Sequence, residues 1–282
     1  MAYTIGATGQ VAVDASERSA ASASTRSPLI AVENVVKIYP TVAGEPVLAL
    51  DHVNLNIKDG EFVCLVGPSG CGKSTLMRLL AGLDRADAGA ASLGGKTLSG
   101  PSPEVGVVFQ HSNLLPWFTV WQNITLPLRV GAGKRTGGRD DTLRELLEIA
   151  GLKGFENKYP YELSGGMQQR VAIVRALARD PKLLLMDEPF GALDALTRER
   201  MNAELQRIWM ASGKTVVLIT HSIDEAIFLG DRVLVMSPRP GRIVRDLAVD
   251  VRRPRVAAAT FGSAEHVALA REIRTLLDGG EP

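Results

Sequence analysis

Apolar, β-branched positions dominate from Leu29 onward: residues 29–39 and 47–57 read as strands of an N-terminal β region, and the unbroken apolar run 62–66 reads as a buried strand ending at Gly67. Further strand patterns fall at 105–109, 182–186, 215–220 and 232–236, separated by helical spacings. That alternation predicts a largely parallel α/β sheet with crossover helices on both faces. A helical stretch is predicted over about 113–159. In it Leu143, Leu146, Leu147 and Ala150 keep helical spacing, and Thr142 with Glu145 reads as a capping box. The segment 131–138 is Gly-rich without apolar period and has no strand running into it, which predicts a mobile surface loop. No internal repeat is present.

Composition narrows this picture without changing it. The chain has 282 residues, 45% hydrophobic and 22% charged, with 32 basic against 31 acidic side chains, so bulk charge gives it no affinity for nucleic acid. Residues 1–28 hold 15 Ala, Ser or Thr and lack the basic and apolar regions of a secretory signal, and a disordered tail is predicted there. The longest run of hydrophobic types is five residues, far short of the about 20 that cross a bilayer. Cys64 and Cys71 have no metal-ligand spacing and no other cysteines to pair with, which points to a reduced, intracellular chain.

The chemistry is concentrated in three motifs. Gly67-Pro68-Ser69-Gly70-Cys71-Gly72-Lys73-Ser74-Thr75 fits G-x-x-x-x-G-K-S/T between a strand and a helical pattern over 76–81. Its glycines let backbone N–H groups turn inward on phosphate oxygens, Lys73 adds a point charge, and Ser74 is placed to ligate magnesium. Next, the strand pattern 182–186 delivers Asp187 and Glu188 at its C-terminal end, where such sheets open on a ligand crevice. Asp187 would hold magnesium through water, and Glu188 would accept a proton from the attacking water. The third motif, Leu163-Ser164-Gly165-Gly166-Met167-Gln168-Gln169-Arg170, opens a helical pattern through Ala178. It reads either as a plain N-cap or as a second anion-binding helix end.

A P-loop, then LSGG-x-Q-x-R, then LLLMDEP in this order resembles the nucleotide-binding domain of ATP-binding cassette (ABC) transporters over about residues 29–248. The resemblance implies the P-loop NTPase ABC ATPase fold: an N-terminal antiparallel β region, a RecA-like parallel sheet core and an inserted α-helical subdomain at about 113–177. Residues 249–282 are left as a C-terminal extension with a helix over 263–277. It implies ATP with Mg2+, sandwiched in a head-to-tail dimer of two copies, with Ser164, Gly165 and Gly166 of one copy on the γ-phosphate held by the other. Met167 stands where the family's common form has glutamine. The family's roles also carry over to Tyr39 (stacked on adenine), Gln110 (reaching magnesium and the water), His221 (on the γ-phosphate) and Asp194 (crossing the dimer interface).

The wording of residues 109–123 and 191–198 is most similar to ATPase subunits of bacterial importers for nitrate, taurine, alkanesulfonates and related small anions. That similarity implies membrane permease subunits as partners, a solute-binding protein acting indirectly, and a place on the cytoplasmic face of the cell membrane. An ABC exporter ATPase is the alternative. A DNA-maintenance ATPase is disfavoured because no sustained heptads lie between Lys73 and Ser164, and a two-cassette translation factor because this chain carries one P-loop. Leu114, Leu115, Trp117, Phe118 and Trp121 form an apolar cluster that either receives a permease helix or packs the helical subdomain. Arg239, Arg242, Arg245, Arg252, Arg253 and Arg255 read as a solvated basic stretch.

Overall fold

The computed structural model describes residues 27–41, 44–130, 139–191 and 193–279; all but the last two residues of the tail expected at 1–28, and the loop expected at 131–138, lie outside them. The first two strands form as the pattern predicts, β1 (Ile30–Tyr39) and β2 (Val47–Ile57), paired antiparallel. They belong to a four-stranded sheet of order β2-β1-β4-β5, with β4 (Ala88–Leu93) and β5 (Lys96–Thr97). These last two were not expected, because Ala- and Gly-rich Ala88–Leu93 carries little β propensity and is held as a strand by pairing with β1.

The second sheet has six strands. In chain order these are β3 (Phe62–Val66), β6 (Val105–Val108), β7 (Leu183–Asp187), β8 (Thr215–Ile219), β9 (Arg232–Met236) and β10 (Ile243–Ala248), and their spatial order is β10-β9-β3-β8-β7-β6. All the pairs are parallel except β10 on β9. The central strands are buried on both faces, so alternate residues feed different cores. Phe62, Cys64 and Val66 of β3 join one apolar cluster with Leu184, Met186, Val216 and Leu218, whereas Val63 and Leu65 join the other with Leu183, Leu185, Val217 and Ile219.

Helices cover the first face: α2 (Val120–Arg129), α3 (Arg139–Ile149), α4 (Gly165–Leu177), α5 (Ala195–Ser212), α6 (Ile223–Leu229), and α8 (Ala264–Leu277) after the short α7 (Ala257–Thr260). The second face is covered by α1 (Lys73–Leu80) and the four-stranded sheet, so the expectation of crossover helices on both faces holds only in part.

Two local expectations are corrected. The helical stretch predicted at 113–159 is two helices, α2 and α3, flanked by turns. Thr142 lies inside α3, which starts at Arg139, so it caps nothing. The real capping box is Thr119 with Gln122, where Thr119 accepts from the Gln122 N–H and Gln122 Oε1 accepts from the Thr119 N–H at 2.9 Å. The arginine stretch is solvated only in part: Arg239, Arg242, Arg245 and Arg252 are exposed, but Arg253 and Arg255 are not. Arg255 is 4% exposed and donates Nη1 to Ile227 O (2.8 Å), Phe228 O (3.0 Å) and Gly230 O (2.7 Å), which satisfies the last carbonyls of α6. Arg253 pairs with Asp231 at 2.8 Å and lies over the Trp209 ring at 4.4 Å. Sequence charge alone could not show this, because a guanidinium whose acceptors are backbone carbonyls needs no acidic neighbour in the pattern.

Candidate active site

Four parallel strands deliver chain to one edge of the large sheet: β3 runs into Gly67, β6 toward Gln110, β7 ends at Asp187, and β8 runs into Thr220 and His221. This carboxyl edge is where an open α/β sheet presents a crevice. The P-loop turns into α1 at Gly72, whose φ of +112° suits glycine and where an added Cβ would lie 2.8 Å from Ala49 O. A cavity of about 280 Å³ opens here. Ser69, Gly70, Gly72, Lys73, Ser74 and Thr75 line it from the loop, Tyr39, Val47 and Ala49 from the first two strands, and Glu188, His221 and Arg239 from the far side.

Lys73 is 5% exposed, and its ammonium donates to Gly67 O at 2.7 Å and Pro68 O at 2.9 Å. It forms no ion pair with a carboxylate among the described residues. A buried cation held by neutral carbonyls and, at 3.9 Å, the Cys71 sulfur is a site prepared for an anion. The remaining P-loop residues, Gly67, Pro68 and Cys71, do not line the cavity. The Cys71 side chain instead joins the apolar core beneath the loop and is 1% exposed.

Asp187 and Gln110 do not line the cavity; Asp187 lies behind Ser74 and carries a carboxyl raised by burial, countered by a hydrogen bond from Ser74 and raised further by the charge of Glu188. Glu188 Oε1 lies 2.5 Å from His221 Nε2. Its backbone sits at φ +46°, and it is the sole glutamate among the positive-φ non-glycine residues described; the others are Asn, Asp or His, which tolerate that region better. Such strain costs about 1–3 kcal/mol and concentrates at functional sites. A Cβ built on Gly191 would lie 3.4 Å from Gln110 Nε2 and 3.6 Å from Glu188 Oε2, so these two side chains border the same gap. Tyr39 is anchored by its hydroxyl, which donates to Asp84 Oδ2 at 2.7 Å, while Lys37 pairs with the same carboxylate at 3.1 Å. The ring therefore has a fixed position on the cavity wall.

The structure does not bring Ser164, Gly165, Gly166 or Asp194 into this cavity. Ser164 caps α4 by accepting from the Met167 N–H, and both Ser164 and Gly165 are exposed. Asp194 caps α5, accepting from the Thr197 N–H at 3.0 Å; that bond is the main reason its carboxyl is held below the usual range. The apolar cluster at 114–121 divides. Leu114 and Trp121 pack against the core, whereas Trp117 is 66% exposed. Buried Asn123 shapes this loop, donating to Leu115 O, Phe118 O and Thr119 O and accepting from the Leu115 N–H. The sequence reading missed Asn123 and Arg239. Nothing in the pattern marks the first, and the Arg-Pro-Gly triplet that turns the chain after Arg239 was the available signal for the second.

A phosphate cradle on a parallel sheet, with a strained glutamate facing it, defines a P-loop nucleotide hydrolase. The family model described as ABC transporter matches residues 50–191. A taurine import ATP-binding protein of Pelagibacter ubique is 48% identical over 220 residues, 76% of this chain and 80% of the relative. A nitrate import ATP-binding protein of Synechocystis sp. is 50% identical over 205 residues, 73% and 77% of the two chains. Among solved structures, a dimeric ATP-binding cassette in a post-hydrolysis state bound to ADP and Pi matches with a TM-score of 0.66 at 36% identity, covering 79% of this chain and all of that one. The chain belongs to the ABC transporter family, as an ATP-binding and ATP-hydrolysing cassette.

Proposed function

We propose that this cassette energises an importer of small anions such as taurine, nitrate or an alkanesulfonate, by closing as an ATP-bound dimer against membrane permease subunits that receive solute from a binding protein. The observation that carries the dimer is the separation of the two phosphate-binding helix ends. The P-loop lines the cavity, while Ser164, Gly165 and Gly166 sit outside it at the start of α4, with Ser164 and Gly165 exposed and free to meet a second copy and Gly166 buried behind them. The dimeric cassettes among the structural relatives support this arrangement, and the names of the taurine and nitrate relatives support import. No helix among the described residues is long and apolar enough to cross a membrane. The names of the import relatives support separate permease partners, with the cassette docked at the cytoplasmic face of the membrane.

In the cavity, Lys73 exchanges its two carbonyl partners for phosphate oxygens, and the P-loop N–H groups complete the cradle. Tyr39 offers its anchored ring to the base. The donor set suits a hard cation: Ser74 Oγ, the Asp187 carboxylate and the Gln110 carbonyl are the oxygens that would hold Mg2+. When bound, that ion would neutralise phosphate charge and order the phosphate oxygens. Glu188 accepts the proton of the attacking water, and His221 fixes the carboxylate's orientation through its 2.5 Å contact. Asp194, at the exposed start of α5, contributes to the interface between copies.

Copurification with the cognate permease and binding protein, followed by ATPase measurement in vesicles, tests this reading. Stimulation by a small anion with its binding protein is expected. Outward transport, or stimulation without any binding protein, would overturn it.

A further inference from the structure

The turn between β9 and β10 is fixed against the P-loop. Gly241 donates its N–H to Ala49 O and accepts from the Asp51 N–H, each at 3.0 Å, and Arg242 forms an ion pair with Asp51. Within the turn, Ser237 Oγ donates to Pro240 O at 3.0 Å and accepts from the Arg242 N–H at 3.0 Å. Gly241 packs so close that an added Cβ would lie 2.1 Å from Cys71 O. The turn therefore holds one place relative to the loop, and Arg239 is carried over it.

Arg239 donates Nε and Nη2 to Gly70 O, both at 3.1 Å. Its Nη1 makes no hydrogen bond among the described residues, and no carboxylate there pairs with it. Yet the guanidinium lines the same cavity as Tyr39, Lys73, Ser74 and Thr75. An arginine gripping a backbone carbonyl with one edge keeps the other edge of its rigid fork for an acceptor, and two oxygens of a carboxylate or a phosphate match that fork. Gripping the Gly70 carbonyl also keeps the negative end of that peptide dipole occupied beside a site that must take polyanions.

We propose that Arg239 is a further nucleotide-binding residue, which holds the Gly70 peptide and supplies a second cation, beside Lys73, to the phosphates of the bound nucleotide. This inference rests on reading the cavity as the ATP site. Calorimetric titration with a non-hydrolysable ATP analogue and with ADP, paired with the melting temperature of nucleotide-free protein, tests it. The set is wild type, Arg239→Gln, Arg239→Lys, Lys73→Ala and, as an outlying exposed arginine, Arg245→Gln. Arg239→Gln should weaken the analogue by about 5–20-fold, a charge-assisted bond discounted for exposure. Arg239→Lys should lose less, Arg245→Gln nothing, and the nucleotide-free melting temperature should not move. Unchanged affinity in Arg239→Gln would overturn the proposal. So would a loss matched by a lower melting temperature without nucleotide, which would assign Arg239 to holding the turn. Wild-type protein that binds no analogue, or Lys73→Ala that binds as well as wild type, would overturn the reading of the cavity itself and the proposal with it.

Discussion

Replacing Arg255 by Met keeps most of the apolar stem and removes every donor. In the wild type the guanidinium satisfies Ile227 O, Phe228 O and Gly230 O through Nη1, Val251 O through Nε at 3.0 Å and Val249 O through Nη2 at 3.3 Å. Burial costs this cation something, since its pKa falls to about 10, chiefly through desolvation and then through the charge of Arg253. Methionine relieves that cost but leaves the C-terminal carbonyls of α6 without partners in the interior, at about 1–3 kcal/mol for each fully buried group. Allowing for water entry and the relieved desolvation, the net loss is about 3–5 kcal/mol, the range for breaking a buried charged arrangement. For a chain of this size that is a fall of roughly 6–20 °C in melting temperature. Differential scanning calorimetry of Arg255→Met beside Arg245→Met, an exposed arginine on β10, measures it. A fall below about 2 °C would refute the claim that this arginine ties the chain after β10 to α6.

Tyr39→Ala should weaken ATP binding by about 1–3 kcal/mol, the range for stacking on a base, whereas Tyr39→Phe should stay close to wild type; equal losses by calorimetry would show that the hydroxyl bond to Asp84, not the ring, is what counts. Cys64 and Cys71 are both buried, and burial pushes the Cys64 thiol up, so maleimide should label neither in the folded protein and both in denaturant, as read by mass spectrometry. Rapid native labelling of Cys71 would contradict its place beneath the P-loop. Glu225 is buried, accepts from Thr220 Oγ1, and has its carboxyl raised chiefly by desolvation. A raised acid binds its proton more tightly when folded, so its contribution is full below the unfolded carboxyl range and is lost as pH rises through the folded value. Glu225→Gln should therefore gain stability relative to wild type from pH 5 to pH 8 in urea titrations; a difference that does not change with pH would refute this.

Much of the fold was legible because the strands of the large sheet are buried on both faces, so their apolar runs stand out. The pattern at 232–236 coincides with β9, and 62–66 with β3. What failed depends on distant partners. β4 is a strand because β1 offers it an edge, and Arg255 is buried because carbonyls from α6 converge on it. The site was legible where chemistry is local: the P-loop and Glu188 line one cavity, and Asp187 lies behind it within hydrogen-bond reach of Ser74. Ser164 and Asp194 show the opposite case. Within one chain they are helix caps, and only a second copy could make them part of a phosphate site.

Glu188 is proposed above as the proton acceptor of an ATPase that closes as a dimer. Glu188→Gln removes the acceptor and leaves the P-loop and Lys73 untouched. ATP hydrolysis and size-exclusion behaviour of this variant, measured side by side with wild type, should show turnover lowered by about 10²–10⁴ with ATP still bound, and an ATP-dependent dimer that persists through the column. Wild-type turnover in Glu188→Gln would show that Glu188 is not the proton acceptor.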